Sequence, residues 1–292
     1  MVEQTLIDGL IAGAGYALFA LGFGLIYQVG RFFHFAHGGV YAAGAYLAYV
    51  FIHLAGYSVW LAVPLAVVGT SVMGVLCDSM VYKPLYVRNA SSLVLLTTSL
   101  GLFVVIQNVI SILFGDSTKM LRDQEPQQGL HLLRAYITPI QIILIATSGA
   151  IAILMWVCLK TSNWGRMVRA VANDPHLCTI VGVNRDKVMV ACFAVGSGVA
   201  AIGAILSGFD TDLTPMMGFR GLLFGVVAVI VGGVGSVRGA FLGGMLVGLW
   251  QHFGVMELPT QWQDATVFAL LMIFLLVLPN GLFGKRLSQL RN

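Results

Sequence analysis

Uninterrupted apolar runs, each roughly the twenty residues needed to span a bilayer, recur along this chain and leave it few ways to fold. They are Leu6–Val29, Phe32–Leu54, Trp60–Tyr82, Leu93–Phe114, Ile140–Leu159 and Val188–Phe209. A stretch from Leu222 to Trp250 is too long for one straight crossing. It is cut by Gly232-Gly233-Val234-Gly235-Ser236-Val237-Arg238-Gly239 and reads as two short or broken helices meeting near Arg238. Ala265–Leu278 is the last run. A transmembrane barrel would alternate apolar and polar residues in shorter strands, and these runs do not alternate. The expectation is an all-α integral membrane protein with about nine passes, forming one transmembrane domain over residues 1–292.

Composition narrows the solvent. Only 10% of the 292 residues are charged and 58% are hydrophobic, against about 25% charged in an ordinary soluble domain. So few charges cannot cover a water-facing surface, and lipid must be the outer medium. The 35 glycines suit helices that pack backbone to backbone, since burial against lipid gains little. A net charge of +4 reports which loops stay in the cytoplasm, and no nucleic-acid partner is expected. Cys77, Cys158, Cys178 and Cys192 show no metal or redox spacing and read as free thiols. The first run follows Glu3 and Asp8, not a basic cluster, so no cleaved signal peptide is expected.

Loop charges orient the path. Arg31, Lys83, Arg88, the Lys160–Lys187 loop with Arg166, Arg169, Arg185 and Lys187, then Arg238, Lys285, Arg286 and Arg291 all fall on one side. The other side is neutral or acidic: Gly115–Pro139 balances three acids and three bases, Asp210 and Asp212 outnumber Arg220, and Glu257 and Asp264 precede the last run. Basic loops stay inside, which puts the N-terminus outside and the C-terminus in the cytoplasm. Trp60 and Trp262 then lie near the outer interface and Trp156 near the inner one.

The 160–187 loop is the most informative. Gly165-Arg166-Met167-Val168-Arg169-Ala170-Val171-Ala172-Asn173-Asp174-Pro175 reads as a short helix with a stop. Val168, Val171 and Ala172 share a face that excludes Arg166, Arg169 and Asn173. Asp174 is placed to cap a second helix with Pro175 at its first position. Leu177, Ile180 and Val181 give that helix an apolar face, and Gly182 suits its end. Such a hairpin can dock a soluble partner or anchor on anionic lipid.

Four segments resemble one family. Arg169-Ala170-Val171-Ala172-Asn173-Asp174-Pro175 with Val181-Gly182-Val183 is similar to the cytoplasmic coupling loop of branched-chain amino acid ABC permeases of the LivH type. Phe35-Ala36-His37-Gly38 resembles that family's N-F-A-H-G segment. Gly232-Gly233-Val234-Gly235-Ser236 with Gly239-Ala240 resembles its glycine-rich break, and Leu278-Pro279-Asn280-Gly281-Leu282-Phe283-Gly284 its closing R-P-x-G-L-F-G. The likeness runs from Gly9 to Gly284 and departs from the family's pattern at His34, Gly39 and Leu278. It implies a permease subunit of an ATP-driven importer in a bacterial inner membrane. Its partners would be a second, LivM-type permease, two ATPases of the LivG and LivF type, and a periplasmic binding protein. The cargo would be branched-chain or other hydrophobic amino acids, with urea, short amides or aromatic acids as alternatives. Gly165, Arg166, Arg169, Ala172, Asn173, Asp174, Pro175 and Gly182 would couple the permease to the ATPases, and Gly38, Gly232, Gly233, Gly235 and Gly239 would form the helix breaks.

Other polar residues stay open. His34 and His37 stand three apart, but with no carboxylate or cysteine beside them a metal lacks ligands; they read as a polar helix-breaking turn or as substrate contacts. Thr97, Thr98, Gln107 and Asn108 line a polar path or hydrogen-bond between helices. Asp78 lies in an apolar run, a functional candidate by default, with a local ion pair to Lys83 or snorkelling to the inner interface the simpler expectation. No phosphate-cradling loop and no nucleophile with its base occurs, so neither catalysis nor a cofactor is expected. An ion-coupled secondary transporter or a non-transporting membrane scaffold are the readings from other classes.

Overall fold

A computed structural model of the chain describes residues 2–122, 129–132, 135–180, 182–254 and 259–284. Lys285, Arg286 and Arg291, on which the cytoplasmic C-terminus rested, lie outside the described residues, as do Glu257, Val181 and part of the 115–139 loop.

The first apolar run is one helix, α1 (Val2–Gly30). The second does not begin at Phe32. Backbone at Arg31–Phe35 breaks first, with Arg31 at φ +55°, and α2 (Ala36–Tyr49) then continues as a π-turn over Val50–Leu54. Helix α3 (Val59–Leu76) passes through a second π-turn, Cys77–Tyr82, into α4 (Lys83–Val87). Next come α5 (Ser92–Phe114) and an antiparallel ribbon, β1 (Leu130–Leu132) with β2 (Ala135–Ile137). That ribbon leaves no trace in the residue pattern: its strands have three residues each, too short to show a period. Helix α6 (Pro139–Thr161) leads into the short pair α7 (Asn163–Asn173) and α8 (Pro175–Ile180), and α9 (Arg185–Asp210) returns. The long glycine-cut stretch is two helices as expected, α10 (Met217–Gly232) and α11 (Val237–Gly254), and α12 (Gln263–Val277) closes the bundle.

Among the described residues five helical segments have the length and apolarity to cross a bilayer: Val2–Gly30, Val59–Val87, Ser92–Phe114, Pro139–Thr161 and Arg185–Asp210. Met217–Gly232 and Gln263–Val277 are apolar but shorter. The five divide by burial. The apolar stretches of α1 and α9 are 72% buried, against 22–28% for the other three, so α1 and α9 form the bundle axis and α3, α5 and α6 its lipid-facing wall. Close approach to α11 makes the axis possible. A Cβ on Gly13 of α1 would lie 2.9 Å from Met245 Cα, and one on Gly244 would lie 2.6 Å from Ala17 Cα. Neither position tolerates a side chain, and backbone-to-backbone contact supplies the packing.

The charges are unevenly shared along this axis, with Asp78, Asp174 and Asp186 also at the basic end and Lys119, Arg122 and Arg220 also at the acidic one. Arg31, Lys83, Arg88, Lys160, Arg166, Arg169, Arg185, Lys187 and Arg238 lie toward the end carrying α7 and α8. Glu3, Asp8, Asp116, Asp210, Asp212 and Asp264 lie toward the other. Across the acidic end, Gln4 Nε2 donates to the Tyr136 carbonyl at 3.2 Å and Gln141 Nε2 to Asp210 Oδ1 at 2.9 Å.

Candidate functional sites at the two ends of the bundle

At the basic end, α7 and α8 form a helical hairpin. Ser162 caps α7 by accepting from Gly165 N–H at 3.0 Å, and Asp174 caps α8 by accepting from Leu177 N–H at 3.0 Å. Pro175 is the first residue of α8, and Gly182 at φ +81° ends the turn beyond it. Gly165, Val168 and Val171 are buried against the bundle; a Cβ at Gly165 would stand 2.5 Å from Leu159 Cα. Arg166 and Asn173 are exposed, Arg169 and Ala172 half-buried, and Arg166 Nη2 donates to Asn163 Oδ1. Met167, Leu177 and Ile180 also face outward, so the hairpin presents an apolar and cationic surface away from the bundle.

Arg31 fastens this hairpin to the axis, a role that sequence reasoning missed. Its Nη2 donates to the carbonyls of Ala172 at 2.5 Å and Asn173 at 2.9 Å. These belong to the last turn of α7, where carbonyls lack partners within the helix and the dipole favours a cation. Arg31 itself sits in the break between α1 and α2.

That break carries the histidines. His34 and His37 are fully buried, with ring centres 5.8 Å apart. His34 Nδ1 hydrogen-bonds the Tyr82 hydroxyl at 2.8 Å, and His37 packs edge-on against Phe19 at 4.9 Å. Ser99 closes the turn, accepting from Phe35 N–H at 3.1 Å and donating to the Phe33 carbonyl at 3.0 Å. Gly38 meets α10 here, since a Cβ on it would lie 2.6 Å from the Gly218 carbonyl. No cluster of three metal-binding side chains occurs among the described residues.

The second break is built from backbone. Gly232 ends α10, Gly233 and Gly235 take φ +105° and +83°, and Ser236 Oγ accepts from Gly239 N–H at 3.1 Å. Its carbonyls are taken up by the chain's own closing segment: Leu282 N–H donates to Val231 O and Phe283 N–H to Gly232 O, both at 2.9 Å. The glycine break and the closing Leu278–Gly284 motif are thus one joint. Arg238 lies just past it, its guanidinium 4.2 Å above the Trp156 ring.

Asp78 corrects the sequence reading. Lys83 pairs instead with Asp186 at 2.9 Å, while Asp78 is 3% exposed and makes no ion pair among the described residues. The π-turn places Asp78 inside and lets Lys83 leave the bundle at the basic end. A carboxylate at the solvent edge binds an ammonium without stripping its water.

The remaining polar candidates are dispersed on α5. Thr97 donates to the Leu93 and Val94 carbonyls and Asn108 to the Val104 carbonyl, all on their own helix. Both are exposed and Thr98 is half-buried. Gln107 Nε2 reaches Met216 Sδ at 2.7 Å, tying α5 to the turn before α10.

None of these lines the main cavity, which opens at the acidic end with a volume of about 510 Å3. Its walls come from α1, α2, α6, α9, α10 and α11, and include Asp8, Tyr16, Tyr41, Gln141, Asp210 and Arg220. The signal that could have found it is the set of charged residues at helix ends, but they are scattered along the sequence.

The family described as the branched-chain amino acid transport system permease component matches residues 5–276. The chain belongs to this family. The high-affinity branched-chain amino acid permease LivH of Escherichia coli strain K12 is 30% identical over 97% of this chain and 95% of its own. BraD of Pseudomonas aeruginosa is 29% identical over the same shares. A probable LivH of Methanocaldococcus jannaschii is 24% identical over 99% and 96%. Among solved structures, PsaBC from Streptococcus pneumoniae in complex with Fab aligns with a TM-score of 0.52 at 12% identity, covering 95% of this chain and 92% of that one. That likeness speaks for the fold alone. The chain is thus a membrane permease subunit of an ABC transport system.

Proposed function

We propose that this permease carries branched-chain or other hydrophobic amino acids inward across a bacterial inner membrane, driven by ATPases bound to its basic end. The relatives' cargo supports the substrate class. The observation that carries the mechanism is the α7–α8 hairpin: a capped helix pair, buried on one face and apolar and cationic on the other, held to the bundle axis by Arg31. Two ATPases of the LivG and LivF type would dock there through Arg166, Arg169, Asn173 and Asp174. A LivM-type permease would complete the pathway, and a periplasmic binding protein would deliver cargo to the acidic end. Nine passes, with α3 and α4 counted as one and α1, α2, α10 and α11 each counted separately, would give an outer N-terminus and a cytoplasmic C-terminus, in line with the excess of basic residues at one end. ATPase closure would move the hairpin, and Arg31 would pass that motion to the α1–α2 break beside His34 and His37. Only a difference in docking between the two states can drive such a switch.

The test is ATPase activity of the reconstituted complex in lipid with leucine-loaded binding protein, against Arg169→Glu. Stimulation in the wild type that the variant loses supports the reading. Leucine flux that follows an ion gradient with no associated ATPase overturns it. The ion-coupled alternative would then start from Asp78, a buried carboxylate with no ion pair among the described residues.

A further inference from the structure

The acidic-end cavity carries charges of both signs that do not meet. Arg220 is on the first turn of α10, Asp8 on α1, and Asp210 closes α9 with Asp212 just beyond. Among the described residues none of the four is in an ion pair within 4.0 Å. A cation and carboxylates that share one cavity without neutralising one another leave both charges available to a ligand that bears both.

The carboxylates are also held in position. Gln4 Nε2 donates to Asp8 Oδ1 at 2.9 Å and Gln141 Nε2 to Asp210 Oδ1 at 2.9 Å. Gln141 is itself fixed, because its Oε1 accepts from Thr138 N–H at 2.9 Å at the start of α6. Each amide occupies Oδ1 and leaves Oδ2 for a donor that arrives from the cavity. Ile11, Leu144 and Met217 supply apolar wall between the charged groups. The volume of about 510 Å3 lies within the range of about 300–1,000 Å3 usual for small-molecule sites.

We propose that this cavity is the receiving site for an α-amino acid zwitterion, with Arg220 on the carboxylate, Asp8 and Asp210 on the ammonium, and the apolar wall against an aliphatic side chain. The proposal rests on the importer reading and deepens it. Among the lining side chains three carboxylates face one guanidinium, and Arg122 stands near enough to Asp210 to act on it from outside the lining, so the surplus that favours an ammonium over a simple anion rests mainly on Asp8 and Asp212. The sequence-derived candidates His34, His37, Thr97, Thr98, Gln107 and Asn108 lie away from it.

The experiment measures radiolabelled leucine binding to the assembled transporter in phosphatidylcholine–phosphatidylglycerol nanodiscs, without binding protein. Leucinamide, which lacks the carboxylate, and 4-methylpentanoate, which lacks the ammonium, are run as competitors. Arg220→Gln should weaken leucine about ten-fold, the loss of one charge-assisted contact, and leave leucinamide unchanged. Asp210→Asn should weaken leucine and leucinamide alike and spare 4-methylpentanoate. Equal loss of leucine and leucinamide in Arg220→Gln would mark a structural effect and overturn the assignment, as would absence of leucine binding to the wild type. Ethanolamine headgroups carry the same charge pair, so displacement of leucine by added phosphatidylethanolamine would make this a lipid site and equally overturn it. ATPase stimulation by leucine-loaded binding protein, measured on the same preparation, separates the two levels. Stimulation without leucine binding removes the cavity site and keeps the importer; no stimulation counts against the importer whatever the cavity binds.

Discussion

The two helix breaks look alike in sequence, each a polar interruption followed by a glycine-rich run, yet they are closed by different chemistry. At Arg31–Phe35 side chains close the gap: Tyr82 on His34, Ser99 on Phe33 and Phe35, Arg31 on α7. At Gly233–Ser236 the main chain does it, with Leu282 and Phe283 returning from the end of the described chain to bond Val231 and Gly232. In a bilayer a freed carbonyl has no water to turn to, so each break must be closed from within the protein. Side-chain closure has alternatives, since a rotamer change breaks it and remakes it. Backbone closure has none, because it needs glycine at both faces of the joint. Steric constraint is therefore tighter at the second break than at the first.

Gly281→Ala should have the largest effect. Gly281 sits at φ +71°, and a Cβ there would lie 2.5 Å from Gly233 N and from the Ile230 carbonyl. Backbone strain and overpacking each cost about 1–3 kcal/mol, so the thermal midpoint of the purified permease should fall by several degrees. Gly115→Ala isolates the first share: φ is +75° with nothing within 4 Å of the added atom. Equal shifts for the two would mean that the joint is not tightly packed and that the breaks do not differ in kind.

The first break should show coupling instead of collision. His34→Leu leaves the buried Tyr82 hydroxyl without its partner and Tyr82→Phe leaves His34 Nδ1 without its own, each costing about 1–3 kcal/mol. Removing both should cost little more than removing one, because no orphaned group remains. Additive losses in unfolding free energy would show that the 2.8 Å contact does not close this break.

What the sequence made legible follows from range. Apolar runs, caps and glycine interruptions are local signals, and α1, α3, α5, α6, α9, the Asp174 cap of α8 and the α10–α11 break all stand where those signals put them. The pairing of the closing Leu278–Gly284 motif with Gly232 and Gly233 joins segments some fifty residues apart in the chain, and no local rule reports it. The cavity was hidden for the same reason. Asp8, Gln141, Asp210 and Arg220 each look like an ordinary polar residue at a helix end, and only the bundle brings them together. Asp78 was misjudged because a π-turn, which no composition rule announces, changed which neighbour Lys83 meets.

The smallest stability effect should come from Arg31→Ala, and it tests whether the first break is joined to the hairpin. Arg31 is solvent-exposed, so water competes for its guanidinium, and its two bonds to α7 should contribute about 1 kcal/mol, below the usual range for a charged hydrogen bond. The thermal midpoint of the whole protein should barely move. Locally the same energy is about a five-fold change in an opening equilibrium, so amide exchange should speed up by that factor in α7 and nowhere else. Arg238 provides the contrast at the second break: it rests on the face of Trp156 and bonds no coupling-helix carbonyl among the described contacts, so Arg238→Ala should leave α7 exchange as it was. If both substitutions loosen α7 equally, the hairpin responds to charge at the inner surface in general. If Arg31→Ala alone does so and transport falls with it, the first break is the joint through which the hairpin moves the bundle.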